Sequence, residues 1–377
     1  MHLVDITMFY TPHSGGVRRY LLDKRAWLAR HTDVRHTLLV PAHPCNDMDT
    51  GIVQQPAMPL PLSRGYRFPL RTTPWEKTLV DLRPDIIETG DPYRLAWAAL
   101  DAGRRLRAPV IGFYHSDTRR VLRALFGARA GPLIDRYIRW LYNRFDLVLA
   151  PSVRMCASLR RLGVAKVERQ RLGIDTGIFH PARRDPALRT QLGLPETTRL
   201  LIYAGRAHRD KNIDLLIEAI TRLGGAYHLL LVGHGSDTYA RANVTCLPHQ
   251  HDRRALSRLL ASSDALVHAG NAETFGLIAA EAMACGIPVV APRKSPVAEL
   301  IDHTTGIGVT SADTGAYQQA IRTLYETGPR RLGENARRRA EQWCDWNATM
   351  PALLDRYAGL IRRRSVPSPP IACVASQ

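Results

Sequence analysis

Glu273-Thr-Phe-Gly-Leu-Ile-Ala-Ala-Glu281, running on through Ala-Met-Ala-Cys285-Gly286-Ile-Pro288, decides how this chain folds. The apolar run Ala265-Leu-Val-His-Ala269 precedes it and Ile287-Pro-Val-Val-Ala291 follows it; both read as buried strands. Leu277 to Cys285 is built from helix formers and stops at Gly286, a natural C-terminal cap. The unit is therefore strand, loop, helix, strand, with Glu273 in the loop and Glu281 about two turns along the helix. Eight residues of helix span ~12 Å. The two carboxylates thus suit separate parts of one extended ligand better than one shared proton. The helix start between them, at Phe275, Gly276 and Leu277, presents amides and a positive dipole end to a phosphate. Hydroxyls, diphosphate, hydroxyls: that order describes a nucleotide-sugar.

Upstream, the strand Leu200-Leu-Ile-Tyr-Ala204 ends in Gly205-Arg206-Ala-His-Arg-Asp-Lys211-Asn212, and a helix is expected over 213–223. Two cations five apart on a loop entering a helix can grip one diphosphate, Arg206 by bidentate hydrogen bonds and Lys211 as a point charge. Nearer the N-terminus, a strand over 3–9 leads to Thr11-Pro-His-Ser-Gly15-Gly16-Val17 and a helix to about Arg30. Gly15 and Gly16 at that helix start allow close approach of backbone to a ligand. G-x-G-x-x-G is absent there, which disfavours a nicotinamide dehydrogenase. Strands continue to alternate with helices, which indicates parallel, doubly wound sheets with ligands at the carboxyl ends of the strands. Asp91 and His115 occupy two such ends.

These stretches together resemble the retaining glycosyltransferases of family 4. The donor signature from Glu273 to Glu281, the Gly205-Arg206…Lys211-Asn212 loop, Gly15-Gly16-Val17, Tyr114-His115 and Gly173-Ile174-Asp175 followed by Phe179-His-Pro181 carry the resemblance. The resemblance implies an α/β GT-B fold, with two facing Rossmann-like doubly wound parallel-sheet domains and a cleft between them. It also implies roles: Glu273 on hydroxyls of the transferred sugar, Glu281 on the ribose, Arg206 and Lys211 on the leaving diphosphate, and His115 near the reacting carbon. Gly15, Gly16, Phe275, Gly276 and Leu277 complete the implied site, and Asp91 joins the candidates from its place at a strand end. Where family members usually carry a glycine pair after the strand ending at Pro292, this chain has Arg293-Lys-Ser-Pro296. The implied activity is metal-independent, cofactor-free hexosyl transfer of mannose or glucose type from a GDP- or UDP-hexose to a glycolipid or polysaccharide acceptor.

The expected division is 1–175 for an acceptor-side domain and 176–345 for the donor domain. A closing helix over 346–363 crosses back, and 364–377 forms a disordered tail. The 377 residues suit two domains, and 45% hydrophobic with 23% charged residues fits a globular chain. No long apolar run or signal-like N-terminus is seen, and the six cysteines form no C-x-x-C pair, so a reducing cytoplasm is expected, with peripheral contact at the inner membrane face left open. The net charge of +18 calls for acidic partners. No nucleic-acid motif accompanies it, whereas residues 118–146 interleave seven arginines with apolar side chains and are expected to form a helix broken at Gly131-Pro132, suited to an anionic membrane. Two alternatives remain at this level: a sugar-nucleotide epimerase or hydrolase on the same fold, and a non-catalytic basic membrane-surface protein.

Overall fold

The computed structural model describes residues 1–11, 15–43, 50–60, 63, 65–207 and 209–365. Pro12, His13 and Ser14 of the glycine loop, Cys45, His208 of the cation loop and all of the expected tail beyond 365 lie outside the described residues. The chain divides into two compact units. The first comprises Met1–Leu149, Leu159–Glu168 and the segment from Met350; the second comprises Ala150–Ser158 and Arg169–Thr349.

The first sheet contains β1 (His2–Ile6), β2 (Arg35–Pro41), β3 (Ile52–Gln55), β6 (Ile86–Thr89), β7 (Val110–Phe113), β8 (Leu147–Ala150) and β9 (Val167–Arg169). A short antiparallel pair, β4 (Met58–Pro59) and β5 (Arg67–Phe68), stands apart from it. The order is β3-β2-β1-β6-β7-β8-β9. The chain reverses its direction of growth between β1 and β6, and that switch point is where an open parallel sheet leaves a crevice. The helices α1 (Gly16–His31), α2 (Thr73–Leu82), α3 (Arg94–Leu106), α4 (Thr118–Phe126), α5 (Gly131–Tyr142) and α6 (Val153–Arg161) connect these strands. The strands β1, β6, β7 and β8 are buried along their whole length, as expected of strands covered on both faces.

The 118–146 segment breaks earlier than its sequence implies. The interruption falls at Gly127, whose φ of +83° ends α4, and Gly131-Pro132 instead opens α5. Proline is tolerated there because the first helical N–H groups have no intrahelical partner.

A buried charge cluster ties the first unit together. The Lys24 ammonium on α1 donates to Asp5 Oδ1 at 3.1 Å, Glu88 Oε1 at 2.9 Å and Tyr357 Oη at 2.9 Å. Tyr357 belongs to α13 (Trp346–Ser365) and donates to the second Glu88 oxygen, so the C-terminal helix is fastened to β1 and β6. One ammonium faces two carboxylates. Burial opposes ionisation of both, yet Lys24 and His36 hold Asp5 well below the usual carboxylate range. Burial, reinforced by the Asp5 charge and only partly offset by Lys24, pushes Glu88 up to about 7. A carboxyl whose folded pKa is raised binds its proton more tightly when folded. Its contribution is therefore full below the unfolded value near 4.5 and is lost as pH rises through about 7. Glu88→Gln is expected to remove a slope of up to about 1.4 kcal/mol per pH unit across that window. Urea unfolding of both proteins from about pH 5 to about pH 8 measures it; parallel profiles would refute the assignment.

The second sheet contains β10 (Arg199–Ala204), β11 (Tyr227–Val232), β12 (Val244–Leu247), β13 (Ala265–Val267), β14 (Val289–Pro292) and β15 (Gly306–Val309). It is parallel throughout, in the order β12-β11-β10-β13-β14-β15, with the switch point between β10 and β13. Its helices are α7 (Leu188–Gln191), α8 (Ile213–Leu223), α9 (Arg253–Ser262), α10 (Leu277–Ala284), α11 (Thr314–Thr327) and α12 (Pro329–Cys344). Leu216, Ile220, Leu229, Tyr317 and Ile321 pack in one core under this sheet. Gly286 closes α10 as expected. Its φ is +75°, its N–H reaches Met283 O at 3.0 Å, and the Ile287 N–H reaches Ala282 O at 3.2 Å, the paired bonds of a Schellman end.

Candidate functional site

In the second unit, the switch point brings two loops side by side. One leaves β10 as Gly205-Arg206 and returns through Lys211-Asn212 into α8. The other leaves β13 as His268-Ala269-Gly270 and passes Glu273 and Phe275 into α10. Glycines make the approach possible. A Cβ on Gly233 would lie 1.8 Å from Gly205 O, and one on Gly270 would lie 3.0 Å from the His268 ring and 3.1 Å from the Lys211 side chain. Asn212, held at a left-handed φ of +51°, donates from its side-chain amide to Ala269 O at 3.0 Å and joins the loops. Tyr203 donates to Arg206 O at 3.1 Å, and Tyr317 of α11 donates to His268 O at 2.9 Å.

Lys211, His268 and Glu273 meet at one carboxylate oxygen. Lys211 Nζ lies 2.5 Å from Glu273 Oε1, and His268 Nε2 lies 3.3 Å from the same atom. Burial raises the Glu273 pKa, but the His268 hydrogen bond and the Lys211 charge outweigh it and hold the carboxyl far below its usual range. Glu273 is therefore an anion throughout the physiological range. Its Oε2 accepts from no described residue, so one oxygen is fixed by the protein and the other can accept from a ligand hydroxyl. Lys211 spends one of its three N–H donors on Glu273. The Arg206 side chain is exposed at the same strand end and pairs with no described carboxylate.

α10 begins at Gly276, whose φ is +95° and where a Cβ would stand 2.5 Å from Val297. Among the described residues no side chain caps this helix start, and a helix start left so carries a positive end suited to an anion. Phe275 is buried beneath the turn and Leu277 is half-buried at the first helical position. Glu281 lies further along α10 with its side chain buried. Six of the expected residues, Arg206, Lys211, Glu273, Phe275, Gly276 and Leu277, thus share one end of this sheet. A separate open depression of about 600 Å³ carries Arg183, Arg184, Arg254 and Arg258, but Asp185 and Asp252 also line it and it shares no residue with this cluster.

In the first unit, the expected residues gather at the β1/β6 switch point. His115 follows β7 and lies parallel to the Phe113 ring at 4.0 Å, with Tyr20 of α1 5.0 Å away. Burial, helped by the Lys24 charge, pushes its pKa down to about 3, so His115 is a neutral imidazole. A Cβ on Gly90 would come within 3.2 Å of its ring. Gly15 and Gly16 are exposed where α1 begins, and a Cβ on Gly15 would meet nothing within 4 Å.

Asp91 is buried at the end of β6. Its Oδ2 accepts the Met8 N–H at 2.8 Å, its Oδ1 accepts the Tyr93 N–H at 3.4 Å, and burial pushes its pKa up to about 6. It ties the segment that follows β1 to its own loop at the end of β6. Sequence reasoning missed His268, although it sits in the apolar run before Glu273, and the signal that singled out His115, a histidine ending a buried strand, applies to it equally. It also missed Lys24, whose burial no local pattern announces.

Two family models cover most of the chain: "Glycosyltransferase Family 4" over residues 14–178 and "Glycosyl transferases group 1" over residues 185–339. A GDP-mannose-dependent alpha-(1-6)-phosphatidylinositol dimannoside mannosyltransferase of Mycobacterium tuberculosis is 31% identical over 95% of this chain and 97% of its own length. A GDP-mannose-dependent alpha-mannosyltransferase of Corynebacterium glutamicum is 27% identical over 82% of this chain and 76% of its own. The Arabidopsis thaliana sulfoquinovosyl transferase SQD2 is 30% identical over 74% of this chain and 58% of its own length. Among solved structures, a sucrose-phosphate synthase from Thermosynechococcus elongatus superposes with a TM-score of 0.78 at 22% identity, over 96% of this chain and 99% of that one. Anabaena Alr3699/HepE in complex with UDP gives 0.76 at 21%, over 95% and 100%. At these identities the structural likeness speaks for the fold: two Rossmann-like parallel-sheet units of GT-B type.

Proposed function

Because the chain belongs to the family 4 glycosyltransferases, we propose that it transfers mannose from GDP-mannose to a lipid-linked acceptor, with retention of configuration and without a metal. The end-to-end relative that uses GDP-mannose on a phosphatidylinositol dimannoside supports the donor and the acceptor class. The Lys211–Glu273–His268 cluster at the switch point carries the chemistry.

In this reading the mannose sits over Glu273, whose Oε2 accepts from its hydroxyls while Lys211 and His268 keep the carboxylate oriented and charged. The diphosphate lies against Lys211, Arg206 and the start of α10, and the buried Glu281 serves the ribose side. As the anomeric C–O bond to phosphate breaks, positive charge develops on the sugar and negative charge on the leaving phosphate. Lys211, Arg206 and the helix start are fixed in advance where that negative charge appears, which is how preorganised donors lower a barrier. The acceptor hydroxyl adds to the anomeric carbon from the departing face and gives its proton to the leaving phosphate oxygen. Bond made, bond broken and proton then balance without an enzyme-bound sugar. In the first unit, taken by itself, neutral His115 and the exposed Gly15 and Gly16 at the start of α1 are the groups open to a ligand. The acceptor being a lipid, the reaction takes place at a membrane's inner surface.

Incubation with GDP-mannose and a mannosylated phosphatidylinositol acceptor tests this. The expected product is the acceptor plus one α-linked mannose, formed equally in EDTA. Release of free mannose with no transfer would point to a hydrolase. A β-linked product, or loss of activity in EDTA restored by magnesium, would refute the stereochemistry or the metal independence.

A further inference from the structure

We propose that the helical hairpin α4–α5 of the first unit is the surface by which this protein docks on an anionic lipid bilayer. The proposal builds on the lipid-linked acceptor above and adds the docking face.

The three most exposed large apolar side chains among the described residues all lie on this hairpin: Leu133 at 71%, Leu125 at 70% and Phe126 at 69%. Leu125 and Phe126 end α4 and Leu133 begins α5, so they stand together at the tip, around Gly127. The inner faces of both helices are already satisfied, by Leu122 on α4 and by Ile134, Ile138 and Leu141 on α5. The tip is therefore a second apolar surface, unused by the fold. Residues 133, 136 and 140 share one face of α5 at helical spacing, and all three, Leu133, Arg136 and Trp140, are exposed. Scattered exposed apolar residues need no explanation, but a cluster at a protruding turn with a polar rim marks a binding surface.

Charge selects the occupant. Residues 118–146 hold seven arginines against two aspartates, a formal balance of +5. Asp135 engages Arg119 and Arg123 and so holds α4 against α5. Arg129 and Arg136 flank the tip without a described ion-pair partner. At the far end of the same face, the Arg144 guanidinium covers the Trp140 ring at 3.7 Å, and Trp97 lies 4.7 Å from Trp140. Apolar tip, arginine collar and a shallower tryptophan reproduce the depth profile of a bilayer boundary: acyl chains, anionic headgroups, interface. A second copy of this chain would bring two such positive rims together.

Vesicle flotation tests the proposal, using the full chain, phosphatidylcholine vesicles with and without phosphatidylglycerol, and GDP binding measured on the same samples. Binding to the phosphatidylglycerol vesicles alone is expected, weakening with salt. Leu125→Ser with Phe126→Ser, and separately Arg129→Glu with Arg136→Glu, are each expected to reduce partitioning about tenfold or more while leaving GDP binding and the melting temperature unchanged. Wild-type indifference to anionic vesicles, or unaltered partitioning of both variants, would overturn it. So would a concentration-dependent dimer that the first variant abolishes without vesicle binding. Retained GDP binding in any of these cases confines the failure to the docking surface. Loss of GDP binding by the wild type would instead count against the donor site.

Discussion

Lys211→Ala is expected to lower kcat/KM for mannosyl transfer by about 10²- to 10³-fold, the size of effect that follows removal of one preorganised donor from a developing anion. That corresponds to roughly 3–4 kcal/mol of transition-state stabilisation. Two losses combine. The leaving diphosphate gives up a fixed ammonium, and the Glu273 carboxylate gives up the partner 2.5 Å away that keeps it ionised and aimed. The fold should hardly notice, because Lys211 is on the rim of the sheet and Asn212 still joins the two loops. Steady-state kinetics and a melting curve together check this. A rate within threefold of wild type would show that Lys211 is an ordinary surface cation.

Glu273→Gln is expected to cost about 10²-fold in transfer while GDP binding stays level or tightens. The amide preserves shape but withdraws the charge that the sugar hydroxyls and the oxocarbenium-like transition state would feel. GDP carries no mannose, so it loses nothing, and Lys211 is released from its ion pair to serve the diphosphate. The two variants thus differ on nucleotide affinity, since Lys211→Ala is expected to weaken GDP binding and Glu273→Gln is not. Titration calorimetry with GDP separates them. Weakened GDP binding in Glu273→Gln would place this carboxylate on the nucleotide instead of the sugar.

Much of the fold was readable because parallel strands buried on both faces leave continuous apolar runs, as in Leu200–Ala204 and Ala265–Val267, and because glycines punctuate their ends. The positions of Arg206, Lys211 and Glu273 at one switch point follow from that reading, since each lies just past such a run. What escaped depends on tertiary contact. His268 and Glu273 meet within one loop, and the tertiary contact is that of Lys211 from the β10 loop, which Gly270 lets approach. Lys24 looks like one surface lysine among many basic residues, and only the pairing of β1 with β6 and the return of Tyr357 reveal it as buried. The α4–α5 break was misplaced because a Gly-Pro pair reads as a breaker, whereas the first turn of a helix accepts proline and Gly127 ends the preceding one.

The most direct measurement is thermal stabilisation by GDP, UDP, ADP and their hexose conjugates. A ligand that binds only the folded state adds about 2.7 kcal/mol at a hundred times its dissociation constant, an easily read shift. GDP and GDP-mannose are expected to stabilise the protein above all others, with the response lost in Lys211→Ala and, for the mannose increment alone, in Glu273→Gln. Stabilisation by no nucleotide, or an equal response in wild type and Lys211→Ala, would contradict a donor site at the β10/β13 switch point.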